Sequence, residues 1–172
     1  MASASSATCV RSAPSWEPAL PVAMLGAGGA ARAVVDALSA QGVTEIRAAN
    51  RSPERVAALA AAAGDTVRPV PWEDREAALE DCGLLVNTTT LGQVGKPALD
   101  LDLGRLPPEA VVYDLVYAPL ETDLLKAARA RGHVGVDGLG MLIHQARPGF
   151  AAWFGAEAEA TAALRSFAAD GL

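Results

Sequence analysis

Short apolar runs alternate along this chain with alanine-rich stretches of helical period, and that alternation predicts a parallel sheet flanked by helices. Runs at 22–25, 45–49, 67–70, 84–86, 111–115 and 134–136 read as strands. Helical patterns run from the glycine turn after Leu25 to about Ala40, from Pro53 to Ala63 and from Trp72 to Glu80. Others cover Thr122 to Arg131, Leu139 to Phe154 and Ala156 to Ala169. Gly42, Gly64 and Gly132 stand where helices stop. Pro69 and Pro71 place the third strand near an edge, because proline has no N–H to give to a ladder. Residues 91–110, rich in glycine and proline, read as a loop. It is either a lid or a surface excursion that carries Leu99, Leu101 and Leu103 inward. The expected fold class is α/β, a Rossmann-like, doubly wound, mostly parallel sheet with helices on both faces.

The first strand runs into Gly26-Ala27-Gly28-Gly29-Ala30-Ala31 and then a helix. Gly26 allows a tight turn, Gly28 lets backbone approach a pyrophosphate, and the small Ala31 lets the helix pack close on the strand. The helix N-terminus then presents unpaired amides and a positive dipole end to the phosphates. The second strand ends in Asn50-Arg51-Ser52, where an NAD site usually places Asp or Glu to accept from the ribose 2′-hydroxyl. A carboxylate would repel a 2′-phosphate, whereas Arg51 pairs with one, and Arg55 follows one helical turn on. Ser52 is the expected N-cap before Pro53 at the first helical position. These residues point to NADP(H). The fourth strand ends in the polar run Asn87-Thr88-Thr89-Thr90, at the carboxyl end where open parallel sheets bind ligands, and Thr88 is counted with the nucleotide site.

A net charge of -6 over 172 residues argues against the basic stripe that nucleic acid requires. No apolar run approaches the roughly 18 residues of a membrane span. Residues 1–20 lack the apolar stretch of a secretory signal and read as a flexible leader or the remnant of a missing N-terminal substrate domain. Residues 21–155 form the nucleotide domain and 156–172 a C-terminal helix. Cys9 and Cys82 read as unpaired thiols of a cytoplasmic protein. His133 and His144 lack Cys or carboxylate partners at ligand spacing, so no metal is expected. Asp114 interrupts an apolar strand, where an unpaired charge is costly. It either pairs with backbone amides of the following turn, the favoured role, or lies close to the cofactor crevice. Trp72 and Trp153 are expected as core or interface anchors.

Several segments carry a family likeness. Asp114-Leu115-Val116-Tyr117-Ala118-Pro119, Thr122-Asp123-Leu124-Leu125, Gly138 to Ala146 and Phe150 to Gly155 resemble the C-terminal half of shikimate dehydrogenases. So do the glycine turn, Asn50-Arg51-Ser52 with Arg55, and Asn87-Thr88-Thr89 followed by Leu91-Gly92. The likeness covers roughly residues 22 to 155 in order.

The resemblance implies reduction of 3-dehydroshikimate to shikimate with NADPH, in aromatic amino-acid biosynthesis. It places Gly26, Ala27, Gly28, Gly29 and Ala30 on the pyrophosphate, and Asn50, Arg51, Ser52 and Arg55 on the adenosine ribose phosphate. Leu115, Gly138 and Met141 would line the nicotinamide, with Tyr117 and Gln145 on the substrate. It also implies that the serines gripping the substrate carboxylate, and the Lys and Asp handling the hydroxyl proton, belong to an N-terminal domain. The only lysines here, Lys96 and Lys126, do not match that lysine. No catalytic residue is therefore assigned, and the isolated chain is expected to bind NADP(H) but turn over little. Gln93 stands where the family often has Met. Glu121, four residues after Tyr117, is not the lysine that activates a catalytic tyrosine in short-chain dehydrogenases. Alternatives are a quinate/shikimate dehydrogenase using NAD, and a non-catalytic nucleotide-binding module. Self-association into a homo-oligomer is left open.

Overall fold

The computed structural model describes residues 16–172. Expectations about Cys9 and residues 1–15 fall outside them. Six parallel strands form one sheet in the order β3-β2-β1-β4-β5-β6. They are β1 Val22–Leu25, β2 Ile46–Ala49, β3 Val67–Val70, β4 Leu84–Asn87, β5 Val111–Asp114 and β6 Gly135–Val136. The proline-bearing third strand lies at the edge, as its sequence predicts. The order turns back between β1 and β4, where open α/β sheets leave a crevice at their carboxyl ends.

Both faces of the sheet are covered, so alternate strand residues enter two separate cores. Val22, Met24, Ile46, Ala48, Leu84, Val86 and Tyr113 face one core, completed by Val34, Val35 and Leu38 of α1 (Gly29–Ser39) and Val56 and Leu59 of α2 (Pro53–Ala63). Ala23, Leu25, Ala49, Leu85 and Val112 face the other, under Leu124, Leu125 and Ala128 of α3 (Asp123–Ala130). The 91–110 loop takes the second of its two expected roles. Leu99, Leu103 and Leu106 are buried in that second core, and Leu101 packs against it.

Helix α4 (Leu139–Phe154) has the predicted bounds, and α5 spans Ala162–Ala169. The expected helix over 156–169 therefore begins six residues late. The Ala158 carbonyl accepts from Arg147 Nε at 2.6 Å, and Thr161 Oγ1 caps Leu164 N at 3.1 Å. The expected helix over 72–80 is instead two short 3-10 turns, Trp72–Asp74 and Ala77–Leu79. The Trp72 carbonyl accepts from the Arg75 amide at 3.4 Å and from its guanidinium at 3.0 Å, which closes the turn three residues on. Trp72 packs against the second core, while Trp153 is 83% exposed and takes no part in either.

Candidate functional site

The crevice is built where the ends of β1 and β4 meet. Leu25 stands in register with Ala49 on one side and Asn87 on the other. The Leu25 carbonyl accepts from both the amide and the hydroxyl of Thr88, each at 2.8 Å. Gly26 turns away at φ 109°, and a Cβ there would lie 2.3 Å from Thr88 Oγ1. Only glycine tolerates this combination of torsion and contact. At Gly28 and Gly29 a Cβ would meet nothing within 4 Å, so the backbone is open to an approaching group. Gly28 starts α1 without a side-chain cap, and no acidic residue occupies the first turn. Its leading amides are thus left for an anion. Ala31 is fully buried against the sheet, in keeping with its expected packing role.

At the tip of β2, Asn50 and Ser52 are half-buried, and Arg51 and Arg55 are exposed. Asn50 Nδ2 donates to the Ser52 carbonyl at 3.2 Å, which tightens the bend. Ser52 occupies the N-cap position ahead of Pro53, but its hydroxyl makes no capping bond. That corrects the expected cap. Among the described residues neither Arg51 nor Arg55 enters an ion pair, whereas Arg47, Arg68, Arg75, Arg105, Arg129 and Arg165 do.

The other end of the crevice is closed by a buried polar network that the sequence revealed only in part. Asp114 Oδ1 accepts from Val116 N at 3.1 Å and from Asn87 Nδ2 at 2.9 Å. Its Oδ2 accepts from Thr122 Oγ1 at 2.6 Å. Asn87 Oδ1 in turn accepts from Thr89 N at 3.0 Å and Thr89 Oγ1 at 2.7 Å. Burial raises the Asp114 pKa, against the pull of its hydrogen bonds to Thr122, Val116 and Asn87. The expected partner in the following turn is thus present. Asn87 and Thr122 were not foreseen as partners. The signal for Asn87 was two apolar strands, Leu84–Asn87 and Val111–Asp114, each ending in a polar residue at the same register position.

Leu115 and Gly138 lie against each other. A Cβ on Gly138 would lie 2.0 Å from the Leu115 carbonyl oxygen, and Gly138 N donates to the Val116 carbonyl at 3.1 Å. Met141, one turn into α4, is buried in the same core cluster as Leu115. Tyr117 is half-buried just past this point, and Gln145 is exposed on α4. Gln93 is half-buried in the turn after β4, where its carbonyl accepts from Lys96 N at 2.9 Å. His133 is buried with Nδ1 3.2 Å from the Ala110 carbonyl. Cys82 is buried beside the Ala78 carbonyl, and burial pushes its thiol up to about 11. Among the described residues no group of His, Cys, Asp and Glu is placed to hold a metal, and no helix is long and apolar enough to cross a membrane.

Strand order, glycine turn and uncapped helix together define a Rossmann-like dinucleotide-binding domain. The family model for Shikimate / quinate 5-dehydrogenase matches residues 17–94. It is 60% identical over 155 residues to "Shikimate dehydrogenase (NADP(+))" of Paramagnetospirillum magneticum, covering 90% of this chain and 56% of that protein. A protein of the same name from Rhodopseudomonas palustris is 56% identical, with 90% and 55% covered. Among solved structures, quinate dehydrogenase from Corynebacterium glutamicum in complex with NAD aligns with a TM-score of 0.85 at 32% identity, over 96% of this chain and 60% of that one. Shikimate 5-dehydrogenase from Thermus thermophilus in complex with NADP(H) and shikimate aligns with a TM-score of 0.76 at 35% identity, over 92% and 57%. The chain spans about half the length of the curated relatives it matches.

Proposed function

We propose that this chain is the NADP(H)-binding part of a shikimate dehydrogenase, acting on 3-dehydroshikimate and shikimate. The observation that carries the reading is the pair of exposed guanidinium groups, Arg51 and Arg55, without ion-pair partners among the described residues, at a strand tip that has no carboxylate. The relatives named above are NADP enzymes, and one solved neighbour holds NADP(H) and shikimate. The C. glutamicum neighbour holds NAD, so the choice of nucleotide rests on the β2 tip.

In this reading the amides of Gly28, Gly29 and Ala30 hold the pyrophosphate, with Gly26 and Ala27 shaping the turn beneath it. Arg51, Arg55, Asn50 and Ser52 hold the 2′-phosphate. The Ser52 hydroxyl, unused as a cap, is free to donate there. Thr88, Leu115, Gly138 and Met141 shape the nicotinamide end. The bound nucleotide supplies the hydride exchanged with the substrate ring carbon. Tyr117 and Gln145 position the substrate by hydrogen bonding, because an amide and a phenol discriminate a polyol from an apolar ligand. Proton transfer belongs to the lysine and aspartate that the family likeness assigns outside these segments. The chain by itself therefore binds nucleotide and turns over little.

Titration calorimetry with NADPH tests the binding site. Saturable binding that weakens at least tenfold in Arg51→Ala/Arg55→Ala supports it, and unchanged affinity overturns it. Turnover of shikimate and NADP by the chain alone at ~1 to 10³ per second, the range of complete enzymes, would contradict the assignment of proton transfer.

A further inference from the structure

Beyond the nucleotide reading, on which it rests, we propose that Asp114 is a positioning residue. It fixes the nicotinamide end of the crevice while leaving the adenosine end untouched. The carboxylate touches three separate chain segments. Through Asn87 it reaches the 87–91 turn after β4, since Asn87 Nδ2 also donates to the Leu91 carbonyl at 3.3 Å and Thr89 Oγ1 accepts from Leu91 N at 3.1 Å. Through Val116 N it holds the turn after β5, whose Val116 carbonyl accepts from Gly138 N at the start of α4. Through Thr122 it sets the start of α3, where Thr122 Oγ1 caps Leu125 N at 3.3 Å.

Asp114, Asn87 and Thr122 are all buried, at 0%, 0% and 1% exposure. Every group that meets the carboxylate is a donor, so its two oxygens act only as acceptors. An amide in its place would turn an NH2 toward at least one of those donors. Among the described residues the β2 tip shares no hydrogen bond with this network. Its own bend is held locally by Asn50 and the Ser52 carbonyl. The two ends of the crevice are therefore mechanically separate, and loosening one leaves the other in place.

The test compares two probes on the full chain. NADPH engages both ends, whereas adenosine 2′,5′-bisphosphate engages the β2 tip and the glycine turn and does not reach the nicotinamide end. In Asp114→Asn, NADPH affinity is expected to fall about tenfold while the bisphosphate stays within about twofold of wild type. Thr122→Val, which deletes one donor, gives a smaller loss of the same kind, and Thr122→Ser restores wild-type affinity. The Thr122 pair carries the test if Asp114→Asn does not fold. Equal weakening of both probes, or no weakening of either, overturns the positioning role. Failure of the wild-type chain to bind either probe overturns the nucleotide reading itself.

Discussion

The two ends of the crevice are built on opposite physical principles. The β2 tip keeps its charges in solvent: Arg51 and Arg55 are exposed and unpaired among the described residues, and the Ser52 hydroxyl caps nothing. The β5 end keeps its charge buried: Asp114 is fully enclosed and accepts hydrogen bonds from Asn87, Val116 and Thr122. Exposed cations that the fold does not use can be replaced without harm to the fold, so they are free to read a ligand's charge. A satisfied buried carboxylate belongs to the scaffold and specifies shape. In the proposed function, selectivity for the nucleotide belongs to the first end and geometry at the nicotinamide to the second.

The largest effect is expected where the second end has no room to yield. Gly138→Ala would drive a methyl into the Leu115 carbonyl oxygen, a backbone atom, and is expected to cost about 3 kcal/mol or more in urea unfolding. A loss below about 1 kcal/mol would show that the end is soft. Next comes charge reversal at the first end. Arg51→Asp is expected to weaken NADPH binding about a hundredfold in calorimetry, with NADH affinity and thermal stability nearly unchanged.

The N-caps sharpen the same contrast. Thr122→Ala loses a capping bond and a carboxylate donor and is expected to destabilise by about 2 kcal/mol, whereas Ser52→Ala is expected to cost under about 0.5 kcal/mol. The Ser52 variant still weakens NADPH a few-fold. Unfolding curves and titrations on the same samples separate the two.

The smallest effect is a pH slope. Burial raises the Asp114 pKa, so the native state keeps a proton that the unfolded chain has already lost. Stability from this group therefore falls as pH climbs from the unfolded aspartate value, about 3.9, through the raised folded value. Measured against Asp114→Asn, wild-type stability should decline across that interval. A rise would mean that the hydrogen bonds of the ionised form outweigh burial.

Much of the first end was legible in the sequence because it is local. A glycine turn after an apolar run, and a basic strand tip before proline, each lie within a few consecutive residues. The capping role of Ser52 failed because a suitable residue at a helix start does not oblige its hydroxyl to turn inward. The second end depends on strand register. Asn87 and Asp114 are partners only because β4 and β5 pair in parallel, and a helical period could not announce that. Asp114 was still conspicuous, since a charge in an apolar strand demands partners, and the turn amide was the nearest. The 72–80 segment has helical spacing, yet the Arg75 guanidinium takes the Trp72 carbonyl and a second one at Asp100, at 2.8 Å. Such tertiary bonds leave no trace in local pattern.

In the proposed function, two exposed arginines make this crevice a site for the 2′-phosphorylated nucleotide. Titrating the wild-type chain with NADPH and, separately, NADH under one low-salt condition tests it most directly. NADPH is expected to bind at least tenfold more tightly. Equal affinities, or a preference for NADH, would contradict it.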